Sequence, residues 1–203
     1  RYGWTLGPFT PGGRSIVYDI STQRNKRNIT LDYTSDVGEE ILAKLVKKSD
    51  VVVHNFIQGT KQAEILAYDH LKELKTDIIV ARISGFGQYG PYAKKVAFDA
   101  TVQAESGGMS LTGFPGSPPT RTQLFYVDFG TALHAALGVM YALYYRQQTG
   151  VGQEIDIALF DVAVSFMATA SVIAENKLYG TIRPQLGNHG YLAFGDTYKT
   201  KNG

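Results

Sequence analysis

The run Val51-Val52-Val53-His54 decides the fold, because a short continuous apolar stretch of this kind is typical of a buried parallel strand. A second such run, Ile78-Ile79-Val80-Ala81-Arg82-Ile83, follows a helical pattern over residues 61–74. Upstream, Ile29-Thr30-Leu31-Asp32 is a further candidate strand, and residues 39–48 have the apolar spacing of a helix. Strands that alternate with helices over short connections predict an α/β fold, with an open parallel sheet and flanking helices.

The second half of the chain has the pattern of helices separated by loops. Residues 98–106 begin a helix that two glycines interrupt, and residues 113–119 are too rich in glycine and proline for regular structure. A long helix is predicted from about residue 128 to 148, where glycines end it. Residues 154–158 predict either a strand or the start of another helix, and residues 160–178 predict one apolar helix.

The composition excludes several classes of protein. The 203 residues carry a net charge of +2, which is too small to indicate a nucleic-acid partner, and the absence of cysteine excludes disulfides and thiolate metal sites. The four histidines lack the spacing of metal ligands. No apolar run reaches the ~18 residues of a membrane-spanning helix. We therefore expect a cytoplasmic protein with no metal, nucleic-acid or membrane partner.

The ends of the predicted strands carry residues that could bind a ligand. Asp32-Tyr33-Thr34, Asn55-Phe56 and Ser84-Gly85-Phe86-Gly87 follow successive strands, and open parallel sheets bind ligands outside their carboxyl ends. An aromatic ring and an amide can hold a nucleobase, and glycines let backbone N–H groups approach a phosphate. This pattern indicates a nucleotide-like ligand. Pro91 prevents a helix after the glycines, which excludes the dinucleotide fingerprint of a Rossmann dehydrogenase.

Asp128 interrupts an apolar, aromatic-rich stretch at the point where the long helix is predicted to begin. One interpretation is that Asp128 is a plain helix N-cap. The other is a functional one, in which aromatic side chains partly bury the carboxylate, free backbone N–H groups lie beside it, and it acts as a nucleophile. The residue pattern leaves both interpretations open.

Six motifs follow one another in order over essentially the whole chain. They are Asn25-Lys26-Arg27-Asn28-Ile29-Thr30-Leu31-Asp32, Asp50-Val51-Val52-Val53-His54-Asn55-Phe56, Ile83-Ser84-Gly85-Phe86-Gly87-Gln88-Tyr89-Gly90-Pro91-Tyr92, Phe98-Asp99-Ala100-Thr101-Val102-Gln103-Ala104, Ser110-Leu111-Thr112-Gly113 and Arg146-Gln147-Gln148-Thr149-Gly150-Val151-Gly152-Gln153. In these motifs the chain resembles the class III CoA-transferases, a family that includes acyl-CoA:carboxylate transferases and a 2-methylacyl-CoA racemase.

The resemblance implies a Rossmann-like CoA-binding domain over residues 1–180 that lacks its N-terminal strand, with residues 181–203 starting a linker or small domain. It also implies that the chain is a piece of a longer protein, which forms an interlocked homodimer. The implied substrates are an acyl-CoA and a carboxylic acid acceptor. The implied nucleophile is Asp128, which forms an aspartyl anhydride and then an aspartyl-CoA thioester, with backbone donors stabilising the oxyanions. The implied CoA contacts are Leu31, Asp32, Asn55, Phe56, Phe98 and Asp99.

The chain also departs from the family pattern. Ile57-Gln58 replaces an Arg-Pro pair, and an arginine is replaced near Ala63, where Lys61 could supply the charge. The proton-exchanging histidine of the racemases is Phe98 here, which favours an acyl-CoA:carboxylate CoA-transferase over a racemase. The third alternative is a catalytically silent CoA-binding subunit, against which the intact Asp128 counts. The sequence does not identify the acyl donor or the acceptor.

Overall fold

The computed structural model describes residues 22–202, and its contacts divide the chain into two units, Arg1–Glu39 and Glu40–Gly203. In the first unit, residues 26–32 form no regular structure, so the predicted strand at residues 29–32 is wrong. The physical reason is local: the Asp32 carbonyl accepts hydrogen bonds from the backbone N–H and the hydroxyl of Ser35. Such turn bonds compete with a strand ladder. They lead the chain into helix α1 (Asp36–Lys48).

The second unit is built on a parallel sheet of three strands, in the order β1 (Val51–His54), β2 (Ile79–Ser84) and β3 (Glu154–Ala158). The first three residues of β2 are fully buried, as expected for the central strand of a covered parallel sheet. The register pairs His54 with Arg82 and Ser84 with Ala158, so the three carboxyl ends share one edge. The predicted α/β fold with an open parallel sheet is confirmed, and residues 154–158 form a strand.

Two of the single helices that the sequence predicts are broken in the structure. The pattern at residues 61–74 splits at Leu66 and Ala67, and the pattern at 160–178 splits at Ser171, which has a φ of 63°. The first break brings the side chains on both sides of it into the core, so packing overrides periodicity.

The helices of the described second unit, after α1, are α2 (Lys61–Ile65), α3 (Tyr68–Leu74), α4 (Asp99–Glu105), α5 (Gly108–Leu111), α6 (Tyr126–Thr149), α7 (Leu159–Thr169) and α8 (Val172–Tyr179).

Over residues 22–202, no helix is by itself long and apolar enough to cross a membrane. The pair α7 and α8, bent by 66° at their junction, passes that test by length and composition.

Buried side chains hold the first turn of α6 against its neighbours. Val127, the second residue of α6, is fully buried among Val102 of α4 and Leu159 and Ala163 of α7. A second cluster, formed by Ala81, Ala135, Ile157 and Val162, packs the body of α6 onto the sheet. The core therefore fixes where α6 begins, which also fixes the backbone of Asp128. The helix ends at Gly150, whose φ of 73° is the left-handed cap that the sequence predicts.

Gly152 provides a test of the β2–β3 pairing. It lies just before β3, where an added Cβ would collide with the backbone carbonyl oxygen of Ile78. We expect Gly152→Ala to lower the free energy of unfolding by about 1–3 kcal/mol, because the two strands would have to separate to relieve this overlap. Chemical denaturation measures the change. Gly195→Ala is the control, since a Cβ at that position meets open space. Equal stability of the two variants would contradict the close approach.

Candidate active site

A cavity of about 340 Å³ opens at the carboxyl edge of the sheet. Its lining comes from residues at or just after the ends of the three strands, from the segment that precedes α4 and from the first two turns of α6. It includes Asn55, Phe56, Gly85, Phe98, Asp128 and Leu159. The structure therefore brings together four of the seven residues that the sequence analysis selected: Asn55, Phe56, Phe98 and Asp128. Leu31 and Asp32 lie in the first unit, and Asp99 is buried and does not line the cavity.

The segment after β1 presents an amide and an aromatic ring to the cavity. The Phe56 ring stacks on the His54 imidazole, with ring centroids 5.8 Å apart. His54 is buried, and its ring nitrogens make no hydrogen bond of ordinary geometry with residues 22–202. Burial, and then the charge of Arg82, lowers the pKa of His54. His54 thus supports Phe56 as a neutral ring, and Phe56 and Asn55 remain exposed for a ligand.

Phe98 forms another part of the cavity wall. It is 73% exposed and precedes α4 as its N-cap residue, without a side-chain capping bond. Next to it, Ala97 packs so closely against Gly85 that a Cβ on Gly85 would lie 2.7 Å from the Ala97 Cβ. This contact joins the end of β2 to the segment before α4. Apolar and aromatic side chains therefore surround much of the cavity, as is usual for a site that holds a small-molecule ligand.

Asp128 is the third residue of α6, whose N-cap is Phe125, so the plain N-cap interpretation is wrong. Its carboxylate accepts no side-chain or backbone hydrogen bond from the part of the chain that the structure describes. The side chain is open to solvent at the cavity, yet enough protein surrounds it to affect its ionisation. Partial burial first, and then the negative charge of Asp99, raises the pKa of Asp128 above its usual 3.8. A carboxylate with a raised pKa is the more basic and the stronger nucleophile.

Asp99 occupies the backbone donors that the sequence analysis left free beside Asp128. Its Oδ2 accepts the N–H of Val127 at 2.9 Å and the N–H of Asp128 at 3.1 Å. Its Oδ1 accepts the side-chain amide of Gln103 at 2.5 Å. The expectation of free N–H groups is therefore wrong. The spacing of four residues between Asp99 and Gln103, within one predicted helix, is the signal that could have indicated this pair.

Lys95 is a cavity residue that the sequence analysis missed. Its ammonium pairs with Glu105 at 2.7 Å and lies 4.8 Å from the centre of the Tyr92 ring. Among the described residues that line the cavity, it is the one cationic side chain, which suits it to an anionic part of a ligand. Ala63, where the family pattern has an arginine, is 4% exposed and gives the site no charge, whereas Lys61 is exposed on α2.

The described residues 22–202 contain no group of three or more His, Asp or Glu side chains that could hold a metal ion. The side chains that line the cavity offer carboxylate, amide, ammonium and aromatic groups to a ligand. A carboxylate with no hydrogen-bond partner at the wall of an apolar cavity is suited to attack a carbonyl carbon.

Known proteins resemble this chain over most of its length. Residues 5–203 match the family model described as CoA-transferase family III. The succinyl-CoA–D-citramalate CoA-transferase of Chloroflexus aurantiacus is 38% identical over 176 residues, which cover 87% of this chain and 43% of that protein. The acetyl-CoA:oxalate CoA-transferase of Acetobacter aceti is 34% identical, with 98% of this chain and 50% of that protein covered.

Solved structures give the same result. The crystal structure of a CAIB/BAIF family protein from Brucella suis matches with a TM-score of 0.83 and 33% identity, over 93% of this chain and 50% of that one. The chain spans about half, or less, of the length of the relatives that it matches. Because the family model matches nearly every residue and these relatives are more than 30% identical, the chain belongs to CoA-transferase family III.

Proposed function

We propose that the protein is an acyl-CoA:carboxylate CoA-transferase in which Asp128 is the covalent nucleophile. The observation that carries this proposal is the position of the Asp128 carboxylate, without a hydrogen-bond partner among the described residues, at the wall of the cavity that Asn55, Phe56 and Phe98 also line. Two of the relatives are named as transferases of CoA between succinyl-CoA and citramalate or between acetyl-CoA and oxalate, and these activities support the same reaction class.

The reaction divides into four acyl-transfer steps, and none of them takes up or releases a net proton. An Asp128 oxygen attacks the thioester carbonyl, which forms an anhydride and releases CoA thiolate. The thiolate attacks the Asp128 carbonyl, forms the aspartyl-CoA thioester and releases the donor acid. The acceptor carboxylate attacks that thioester, which forms an anhydride between Asp128 and the acceptor and again releases CoA thiolate. The thiolate attacks the acceptor carbonyl, which yields the new acyl-CoA and frees Asp128.

The described residues have separate roles in this scheme. Asn55 and Phe56 would hold CoA at the end of β1, and Phe98 would pack against its thioester arm. Lys95 would attract a negative group of the CoA or of the acceptor. The N–H groups of Val127 and Asp128 are bonded to Asp99, so the proposed backbone donors to the oxyanion must be other groups.

We expect Asp128→Asn to reduce CoA transfer at least about 1000-fold, because the amide cannot form the anhydride. In the unmodified enzyme, incubation with acyl-CoA and then hydroxylamine should convert Asp128 alone to a hydroxamate, which peptide mass spectrometry detects. Succinyl-CoA and acetyl-CoA are the donors to screen, with citramalate and oxalate as acceptors, because the names of the two relatives state these substrates.

The matched control is Asp161→Asn, which changes an exposed aspartate in the first turn of α7. It should retain normal transfer and normal labelling. Near-normal turnover of Asp128→Asn would contradict the assignment. CoA binding without transfer or labelling in the unmodified enzyme would favour the silent binding subunit.

A racemase makes a different prediction. Racemisation needs a proton-exchanging group on each side of the acid carbon, and Phe98 has none. His134, six residues after Asp128, lies with Nδ1 2.8 Å from the Gly130 carbonyl oxygen and its ring against Phe166. We therefore expect no enzymatic deuterium exchange at the α-carbon of (R)-2-methylacyl-CoA in deuterated water. Exchange at roughly 1–1000 per second, a usual enzyme rate, would establish the racemase instead.

We also propose that the intact protein is a cytoplasmic homodimer. Apolar side chains along one side of α6 support the homodimer, since Leu133, Met140, Tyr141 and Tyr144 are each more than 60% exposed. Apolar surface of this extent usually marks a protein–protein contact. Light scattering should give the mass of a dimer, and a stable monomer at micromolar concentration would contradict the proposal.

A further inference from the structure

Asp99 makes the contact that an N-cap residue normally makes, but from a different helix. An N-cap side chain accepts the backbone N–H groups of the second and third helical residues. In α6 these residues are Val127 and Asp128, and Phe125 at the N-cap position makes no such bond. The Oδ2 atom of Asp99, on α4, accepts both N–H groups. The first turn of α6 is thus held by a carboxylate from outside the helix.

Gln103 holds Asp99 in place. It is 1% exposed, lies one turn further along α4, and donates its amide to Asp99 Oδ1 at 2.5 Å. Its Oε1 accepts the backbone N–H of Thr122 at 2.9 Å, and its amide also reaches the Thr122 hydroxyl at 3.3 Å. Both oxygens of Asp99 therefore have protein donors. The same network ties down the segment that leads into α6.

We infer that Asp99, held by Gln103, is a positioning residue that fixes the carboxylate of Asp128 for attack on the thioester. This inference rests on the proposed function of Asp128. It differs from the CoA contact that the family resemblance implies for Asp99, because a side chain that is 4% exposed and bonded to three protein donors does not reach the cavity.

The contact acts on Asp128 in three ways. It orients the backbone of Asp128, and it removes the N–H groups that would otherwise stabilise the negative charge of that carboxylate. The negative charge of Asp99, after partial burial, also raises the pKa of Asp128. Other titratable groups on elements near Asp128 include Lys95, which pairs with Glu105, and Asp161 on α7. Arg82 on β2 pairs with Glu154 on β3, and Asp156 on β3 accepts the Gln88 N–H. Tyr126 and His134 lie on α6.

The test compares Asp99→Asn with Asp161→Asn in the intact enzyme. The introduced asparagine has one acceptor oxygen, so its amide must face a donor, either Gln103 or the first turn of α6. We expect kcat to fall about 10–100-fold, which is the cost of a misplaced reacting group, while the Kd for CoA stays within about twofold.

Loss of the Asp99 charge lowers the pKa of Asp128. Only the ionised carboxylate attacks, so the acidic limb of the kcat–pH profile should move to lower pH.

A compensating variant restores the geometry and moves the negative charge from residue 99 to residue 103. When Asp99→Asn is combined with Gln103→Glu, the amide of the new asparagine can donate to the new glutamate. The asparagine oxygen can then accept the Val127 and Asp128 N–H groups again, while the glutamate still accepts the Thr122 N–H. We expect the double variant to recover about tenfold in kcat over Asp99→Asn, because the hydrogen bonds are restored. This variant also provides the test if Asp99→Asn fails to fold by circular dichroism.

The outcomes are distinguishable. If hydroxylamine does not label Asp128 in the unmodified enzyme, the proposed function fails, whatever the Asp99 variants do. If Asp128 is labelled and Asp99→Asn matches Asp161→Asn in kcat and pH profile, the positioning inference is overturned. A loss of CoA affinity as large as the loss of kcat would overturn it in favour of a CoA contact. The inference is also overturned if the double variant folds but is no more active than Asp99→Asn. If Asp99→Asn does not fold, an inactive folded double variant overturns it.

Discussion

The hydrogen bonds from the first turn of α6 to Asp99 are the contact on which the site depends. Every helix begins with backbone N–H groups that lack partners, and a buried start needs an acceptor. Here the acceptor is a buried carboxylate on α4, so α4 and α6 meet at one point. Val127 packs into the core beside this contact, and Asp128 is the next residue. The same few atoms therefore stabilise the fold and place the side chain that we propose as the nucleophile.

The sheet explains why the cavity lies where it does. Three parallel strands end at one edge, and each end turns into a segment that lines the cavity. Backbone groups at such an edge are no longer used by the ladder, so side chains and loops from several elements can converge there. The close approach of Gly85 to Ala97 then brings the wall that holds Phe98 against the end of β2. The cavity is a consequence of parallel topology together with one small residue.

Much of this arrangement could be predicted from the sequence. Continuous apolar runs identified β1 and β2, because a strand buried on both faces needs no alternation. The strand predicted at residues 29–32 was wrong, because turn bonds at Ser35 compete for the same backbone. The breaks at Leu66 and Ser171 were missed, since apolar periodicity records which residues are buried and not where the backbone bends.

The site shows the same limit. The sequence selected Asp128 from its apolar setting and from the family resemblance, and the structure places it at the cavity. It did not indicate that Asp99 binds the N–H groups beside Asp128, because this contact joins residues 28 and 29 positions apart along the chain. Lys95 was missed for a similar reason, since nothing in its local pattern shows that it lines a cavity. Local patterns identify candidate residues, whereas their partners depend on tertiary structure.

The central claim is that Asp99 determines the environment of Asp128. A carbon-13 titration of the side-chain carboxyls, with the Asp128 signal assigned by its loss in Asp128→Asn, tests this directly. The account predicts that Asp128 titrates above the usual aspartate pKa of 3.8 in the unmodified protein, and at a lower pH when Asp99 is replaced by asparagine. The same titration midpoint in both proteins would contradict it.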